Sequence, residues 1–176
     1  MKRINGHIDS GIDNKADNQA DNRTAGRITH RNLPQRFLKG RECLMSHFRP
    51  ILNHFGLTEQ QWRILRALDE HAQLEPREIC QLCQIQSSSM AGVLARMEET
   101  GLISRTRVAQ DQRRVLVSLA PAGNQLIDDI APLIELQYQY IETAFGQPVF
   151  DALFIAIDAF IAVQSQPVQK VALPAD

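Results

Sequence analysis

Apolar residues return at helical intervals from residue 33 onward. The first run keeps one face apolar and predicts a long helix over residues 33–56. Pro50 lies inside this run, where it has no N–H to donate and is expected to bend the helix. The residues before the helix are polar and contain the imperfect four-residue repeat DNKADNQADNRT (13–24). Residues 1–32 are therefore predicted to form a disordered tail.

Three shorter helices follow in the pattern. Thr58 and Gln61 have the spacing of a capping box and predict the start of the second helix. Pro76 suits the first turn of a short third helix, because the missing N–H would have no helical partner there. Ser87 or a neighbouring serine is expected to cap the fourth helix, which ends at Gly101.

The periodicity changes from helical to alternating after the fourth helix. LISRTRV (102–108) and VLVSLA (115–120) are predicted to be strands, and the polar run AQDQRR (109–114) is predicted to be the corner between them. Three compact helices followed by a two-stranded hairpin are typical of a winged helix-turn-helix. The sequence thus predicts a mainly α fold with a small β-hairpin wing.

Two more helices are predicted beyond the hairpin, from about residue 122 to 145 and from about 148 to 163. The last is apolar nearly all round, and a terminal helix of that kind is rarely left in water. We expect it to pack against a second chain. Residues 166–176 are assigned to a flexible tail.

Charge is distributed unevenly along a chain whose formal net charge is only −1. Residues 101–121 hold four arginines against the single acid Asp111, whereas residues 122–163 hold six acids and no lysine or arginine. A helix with a small, polar N-terminus fits the major groove of DNA, and a hairpin beside it can place an arginine in the minor groove. The pattern favours DNA binding; the alternative is an ordinary surface hairpin with solvated charges.

The same residues carry a family resemblance. DxRxxxVxLxxxG (111–123) resembles the wing signature of MarR-type regulators, and GLISR (101–105) is similar to the run that precedes that signature. RECLMSHFRPI (41–51) and LTEQQWRI (57–64) resemble the branch of this family that regulates homoprotocatechuate operons. The resemblance covers roughly residues 33–165.

The resemblance implies a homodimer that reads an inverted repeat in double-stranded DNA. Residues 33–56 and 122–165 would form the dimer, and residues 57–121 would form the winged helix-turn-helix module. Arg113 would enter the minor groove, while Asp111 would pair with an arginine such as Arg105 to brace the wing.

The expected DNA contacts lie on the fourth helix and on the wing. They are Ser87, Ser88, Ser89, Arg96, Arg105, Arg107, Gln112, Arg113 and Arg114. Ala91 and Gly92 stand where many members have larger polar residues that read bases. Direct base contacts are therefore expected to be few, with DNA shape and the wing supplying more of the specificity.

A second candidate site lies on the first two helices. Its residues are Arg41, Ser46 and Arg49 in the first helix and Trp62 and Arg63 in the second. They suit an aromatic carboxylate, because a guanidinium binds a carboxylate bidentately and the ring packs on apolar surface. Alternatively, Trp62 belongs to the core and the arginines form surface or dimer salt bridges. The resemblance favours the effector site, since it implies hydroxyphenylacetate-type effectors that lower operator affinity.

Other functional classes find little support in the sequence. The chain has no phosphate-binding glycine-rich loop, zinc-protease motif or serine-hydrolase motif, so no enzyme activity, cofactor or metal is expected. Cys80 and Cys83 have CxxC spacing, but one pair cannot fill the four positions that zinc prefers. No apolar run approaches 20 residues, so we expect a cytoplasmic protein without membrane contact. Two alternatives stay open: a regulator of another stimulus (stress, another phenolic or thiol oxidation) and a winged-helix module that binds proteins.

Overall fold

The computed structural model describes residues 28–109 and 111–174, with the side chain of Gln112 excepted. The chain divides into two units, residues 1–39 and residues 40–176. Most of the predicted disordered tail lies outside the described residues, and residues 28–32 have no helix or strand. At the other end, residues 167–174 are exposed and have no regular secondary structure.

Six helices and three strands make up the described chain. In order they are α1 (Leu33–His54), α2 (Glu59–His71), β1 (Gln73–Leu74), α3 (Pro76–Cys83), α4 (Ser87–Glu99), β2 (Ile103–Val108), β3 (Asp111–Leu119), α5 (Pro121–Phe145) and α6 (Gln147–Ala162). The order and positions of the helices confirm the predicted mainly α fold.

Local signals explain where α1 and α4 end and where α2 begins. Gly56 and Gly101 have φ values of +67° and +72°, the left-handed region that favours glycine after a helix. At the start of α2 the Thr58 hydroxyl accepts from the Gln61 N–H at 3.2 Å, and the Gln61 side chain accepts from the Thr58 N–H at 2.9 Å, which confirms the capping box. The predicted Ser87 cap was wrong. Gln86 occupies the N-cap and makes no side-chain cap bond, so Ser87 is the first helical residue.

The wing is larger than the predicted hairpin. It is a three-stranded antiparallel sheet in the order β1-β3-β2, and the short strand β1 was missed because two residues carry no periodicity. β3 begins at Asp111, so residues 111–114 lie in a strand and the predicted corner was too long. The register shifts at the tip: Arg107 stands opposite Val115 while Val108 stands opposite Asp111, which leaves residues 112–114 without partners on β2.

One apolar core joins the helices to the sheet. Its most deeply buried side chains come from α1 to α5 and from both long strands: Leu52, Ile64, Leu65, Leu68, Ile79, Leu94, Met97, Ile103, Val117 and Ile130. Burying each of these stabilises the fold by roughly 1.5–3 kcal/mol relative to exposure. Because Ile103 and Val117 belong to this core, the sheet is fixed against the helices and its tip projects from them.

The helix α6 contributes little to this core. Phe150 is its one buried residue, and its ring packs against Phe145 and Phe154 at centroid distances of 6.3 and 6.4 Å. Most other apolar side chains of α6 are exposed, including Val149, Leu153, Phe154, Ile155 and Ile161. Over the described residues no single helix is long and apolar enough to span a membrane; α5 and α6 meet that criterion only as a pair bent by 106°.

Candidate nucleic-acid interface

The helix α4 has two faces of different character. Met90, Val93, Leu94 and Met97 are buried at helical spacing. The opposite face is exposed and carries small residues and one arginine, with a glutamate in its last turn: Ser87, Ser88, Ser89, Ala91, Gly92, Ala95, Arg96 and Glu99. Small side chains allow the helix backbone to approach a partner closely. The N–H groups of the first turn, next to the serines, can also bind an anionic group.

Arg96 is the only cation on this exposed face of α4. Its Nη1 would lie 3.5 Å from a Cβ atom placed on Gly92, so the guanidinium lies along the helix over the glycine. No acidic side chain within the described ranges pairs with it. The absence of a larger residue at position 92 leaves the charge accessible on the helix surface.

The wing is joined to the end of α4 by an ion pair. Arg105 on β2 donates from Nε to Glu98 Oε2 at 2.7 Å, and a second guanidinium nitrogen contacts the same oxygen. The Arg105 guanidinium holds the pKa of the Glu98 carboxyl below its usual value. The prediction that Arg105 pairs with Asp111 was wrong, because Asp111 lies at the far end of the wing. The Asp111 carboxylate instead accepts from the backbone N–H of Arg113 at 3.1 Å.

The remaining wing arginines differ in their surroundings. Arg114 donates from Nε to Glu75 Oε1 at 2.7 Å, and Glu75 is the residue between β1 and α3. Arg107 and Arg113 are exposed, and neither is paired with an acidic side chain in the part of the chain that the structure describes. Two positive charges therefore remain available near the tip of the wing.

Two of the three predicted effector arginines, Arg41 and Arg49, form an ion-pair network between α1 and α2. Arg49 donates from Nε to Glu59 Oε1 at 2.7 Å and from Nη2 to Glu42 Oε2 at 2.6 Å, and Arg41 also donates to Glu59. The hydrogen bond from Arg41, with a further one from Arg49, lowers the pKa of the Glu59 carboxyl. The charges of Arg41 and Arg49 are thus already balanced by two carboxylates.

The other predicted effector residues make hydrogen bonds or packing contacts within the protein. The Ser46 hydroxyl donates to the Cys43 carbonyl at 2.8 Å within α1. Trp62 is half-buried against the core. Arg63 donates to the carbonyl of Cys83, which connects α2 to the end of α3.

A further polar contact lies near Trp62 and was not predicted from the sequence. Arg66, one turn after Trp62, donates to Glu70 Oε1 at 3.1 Å and lies near Tyr138 of α5. The Tyr138 ring lies 4.6 Å from that of Phe48 in α1. A search for arginines four residues from an aromatic side chain would have found Arg66, but nothing in the sequence indicates that α5 lies beside it.

The three cysteines are reduced and differ in burial. Cys83 is buried, its thiol donates to the Arg63 carbonyl at 3.4 Å, and burial raises its pKa. Cys80 is half-buried and Cys43 is exposed. No group of three or more His, Cys, Asp or Glu side chains is arranged to hold a metal ion anywhere in the described ranges. The contacts of Cys83 are those of a packing residue.

Comparison with known proteins reveals clear relatives. Residues 55–114 match the model of the MarR family. The homoprotocatechuate degradative operon repressor of Escherichia coli is 37% identical over 134 residues, which cover 76% of this chain and 90% of that protein. The HTH-type transcriptional regulator FarR of Neisseria gonorrhoeae is 36% identical over 118 residues, 67% of this chain and 81% of that protein.

A solved structure shares the fold at a similar level of identity. The crystal structure of NadR in complex with 4-hydroxyphenylacetate is 31% identical and superimposes with a TM-score of 0.68, covering 81% of this chain and 99% of that one. The two proteins therefore have the same arrangement of helices and wing.

Proposed function

The chain belongs to the MarR family of transcriptional regulators, and from that premise we propose that it is a homodimeric DNA-binding repressor whose operator affinity is lowered by a small aromatic carboxylate. Its relatives are regulators rather than enzymes. The observation that carries the proposal is the exposed face of mostly small residues on α4 beside a wing with two arginines, Arg107 and Arg113, that have no acidic partner among the described residues. That combination suits a duplex, whose major groove admits a helix and whose minor groove attracts arginine.

In this proposal α4 enters the major groove. The serines of its first turn and the adjacent backbone N–H groups bind phosphates or base edges, and Arg96 binds the phosphate backbone. Few side chains on this face are long enough to reach bases, so sequence preference depends strongly on DNA shape. Arg113, with Arg107, contacts the minor groove and its phosphates.

The exposed apolar side chains of α6 support a dimer. Leu153, Phe154 and Ile161 are 42%, 59% and 51% exposed, on a helix whose single buried residue is Phe150. Large exposed apolar patches usually mark an interface. A second copy of the chain that covers this helix would give the two-fold symmetry needed to read an inverted repeat, with half-sites about one helical turn apart.

The effector class rests on the relatives and on the residues around Trp62. One relative is named as a repressor of homoprotocatechuate degradation, and a structural neighbour was solved with 4-hydroxyphenylacetate. In this chain Arg41 and Arg49 pair with Glu59, three residues before Trp62, and Arg63 and Arg66 follow Trp62 on α2. Each is already hydrogen-bonded to a carboxylate or a carbonyl, so an effector carboxylate would have to replace one of those acceptors.

The proposal is tested by fluorescence anisotropy with duplex DNA from upstream of the protein's own gene. We expect tight binding that 4-hydroxyphenylacetate or its 3,4-dihydroxy analogue weakens. The neutral analogue 4-hydroxyphenylethanol should have no such effect, because it lacks the carboxylate. Tight DNA binding that neither acid weakens would indicate a MarR-type regulator of a different stimulus. No DNA binding even at low salt would favour a protein-interaction module.

Effector binding can also be measured without DNA. Trp62 is the only tryptophan in the chain, so fluorescence excited selectively at tryptophan reports on its surroundings alone. A saturable change on adding 4-hydroxyphenylacetate is expected, and it should be weakened in Arg66→Gln or Arg49→Gln if either guanidinium binds the carboxylate. Lys170→Gln, in the exposed C-terminal segment, is the matched control for loss of one positive charge.

A further inference from the structure

Arg114 differs from the other wing arginines because it is held at the base of the wing. Its guanidinium contacts the Glu75 carboxylate through two nitrogens, with Nε 2.7 Å from Oε1. Glu75 lies directly after β1, whose Leu74 pairs with Val117 of β3, and directly before Pro76, the first residue of α3. The ion pair therefore links the wing sheet to the start of the helix-turn-helix.

Because of the position of Arg114 along β3, its ion pair with Glu75 can set the direction of the strand towards the tip of the wing. Residues 112–114 have no partners on β2, and regular pairing resumes at Val115. An irregular strand segment is bent and lacks ladder hydrogen bonds, so its direction must be set by other contacts. Arg114 is the last residue of that segment, and its ion pair fixes the point from which Arg113 and the tip extend.

The same contact makes Arg114 a poor phosphate ligand. Glu75 is partly exposed beside it, and its carboxylate already accepts from two of the guanidinium nitrogens. A phosphate bound there would either break this pair or approach a negative charge. Arg107 and Arg113 lack such a partner among the described residues, so a phosphate meets no competing acid at those positions.

We propose that Arg114 is a positioning residue, which sets the direction of the wing through Glu75 and makes no contact with DNA. The inference rests on the proposed DNA-binding function and refines it, because it separates the wing arginines into one that positions and two that contact. On the neighbouring strand β2, Arg105 pairs with Glu98 of α4 and holds the other side of the sheet to that helix.

Salt-dependent DNA affinity distinguishes the two roles. Each phosphate contact adds about 0.9 to the slope of log K against log salt. For Arg114→Gln we expect roughly a two- to fivefold loss of affinity, the size of a surface ion pair, with the slope unchanged. Arg113→Gln, the matched comparison one residue away, should lower the slope by about 0.9. A comparable fall in slope for Arg114→Gln would overturn the positioning role.

A double-mutant cycle supplies a second readout. If the pair acts as a unit, Glu75→Gln weakens binding, and the double variant Glu75→Gln, Arg114→Gln is no weaker than Arg114→Gln alone. If Arg114 binds phosphate instead, Glu75→Gln should tighten binding because it removes a repelling charge. Thermal unfolding of each variant checks that the fold is intact.

Failure of the inference and failure of the proposed function give different results. Wild-type protein that binds no duplex at low salt contradicts the DNA-binding function itself. Wild-type protein that binds, with a slope that drops in Arg114→Gln, contradicts only the role of Arg114. Amide hydrogen exchange over residues 111–119 should be faster in Glu75→Gln and Arg114→Gln and unchanged in Arg113→Gln; equal exchange in all three would also contradict the positioning role.

Discussion

Gly123 of α5 lies so close to Leu102 that a Cβ atom on residue 123 would stand 2.0 Å from the Leu102 carbonyl oxygen. The same oxygen accepts the N–H of Ala120 at 3.1 Å. The first turn of α5 is therefore seated on the backbone at the entrance of β2. This explains in physical terms why the wing signature of the sequence ends in a glycine.

Gly123→Ala should destabilise the protein, because the clash is with backbone that cannot rotate away. Overpacking of this kind costs about 1–3 kcal/mol or more, which outweighs the gain of up to about 1 kcal/mol from alanine in a helix. Urea unfolding would measure the loss. Gly40→Ala is the control: a Cβ there would meet no heavy atom within 4 Å, so that variant should be as stable as wild type or more stable. Equal effects of the two substitutions would contradict the close approach.

Arg113→Ala should weaken operator binding by roughly ten- to a hundredfold, the range expected when about 1–3 kcal/mol of contact energy is lost. Its guanidinium has no acidic partner among the described residues, so removing it should leave the fold unchanged. Anisotropy titrations would measure the affinity, and circular dichroism the fold. Lys170→Ala removes one exposed positive charge far along the chain and should bind like wild type. A folded Arg113→Ala protein with unchanged affinity would contradict the wing contact.

The free energy of unfolding should fall as the pH is lowered, and protonation of Glu59 and Glu98 should account for part of that fall. Arg41 lowers the pKa of Glu59 in the folded protein, and Arg105 lowers that of Glu98. A carboxyl group whose pKa is lower in the folded than in the unfolded protein stabilises the fold at pH values above its unfolded pKa, which is about 4.3 for glutamate. That stabilisation is lost as the pH falls through the pKa of the group in the folded protein. Urea midpoints between pH 7 and 3 should drop less in the double variant Glu59→Gln, Glu98→Gln than in wild type. Glu135→Gln, which removes a carboxylate without a basic partner in the described chain, should retain the full drop.

Phe154→Glu should shift the protein towards monomer, because it places a charge on the apolar face that the second copy is proposed to cover. Operator affinity should fall with it, since a monomer engages a single half-site. Sedimentation velocity would measure the change in mass. Val171→Glu makes the same kind of substitution at a residue that is 88% exposed in the C-terminal segment, and it should stay dimeric. A dimeric Phe154→Glu protein would exclude α6 from the interface.

Strong local signals allowed much of the fold to be predicted from the sequence. Four helices end or begin where a glycine, a proline or a capping box predicted, because these residues act through their own backbone and nearest neighbours. The same reasoning failed for Ser87, where a serine in a run of three has no feature that distinguishes cap from first turn. It also missed β1, since a two-residue strand has no period of its own and exists only because β3 offers it a partner.

The candidate site could be predicted less completely. Sequence alone identified the wing, the exposed N-terminus of α4 and the arginines as a group, because charge and periodicity are properties of the chain itself. Which arginine meets which acid was decided by tertiary structure: Arg105 is seven residues from Glu98, and Arg114 is 39 residues from Glu75. Such partners are chosen by the register of the sheet and by the packing of α3 and α4 against it, and no local pattern contains that information. The sequence thus determined what kind of surface this protein presents, and the fold decided which of its charges stay available to bind.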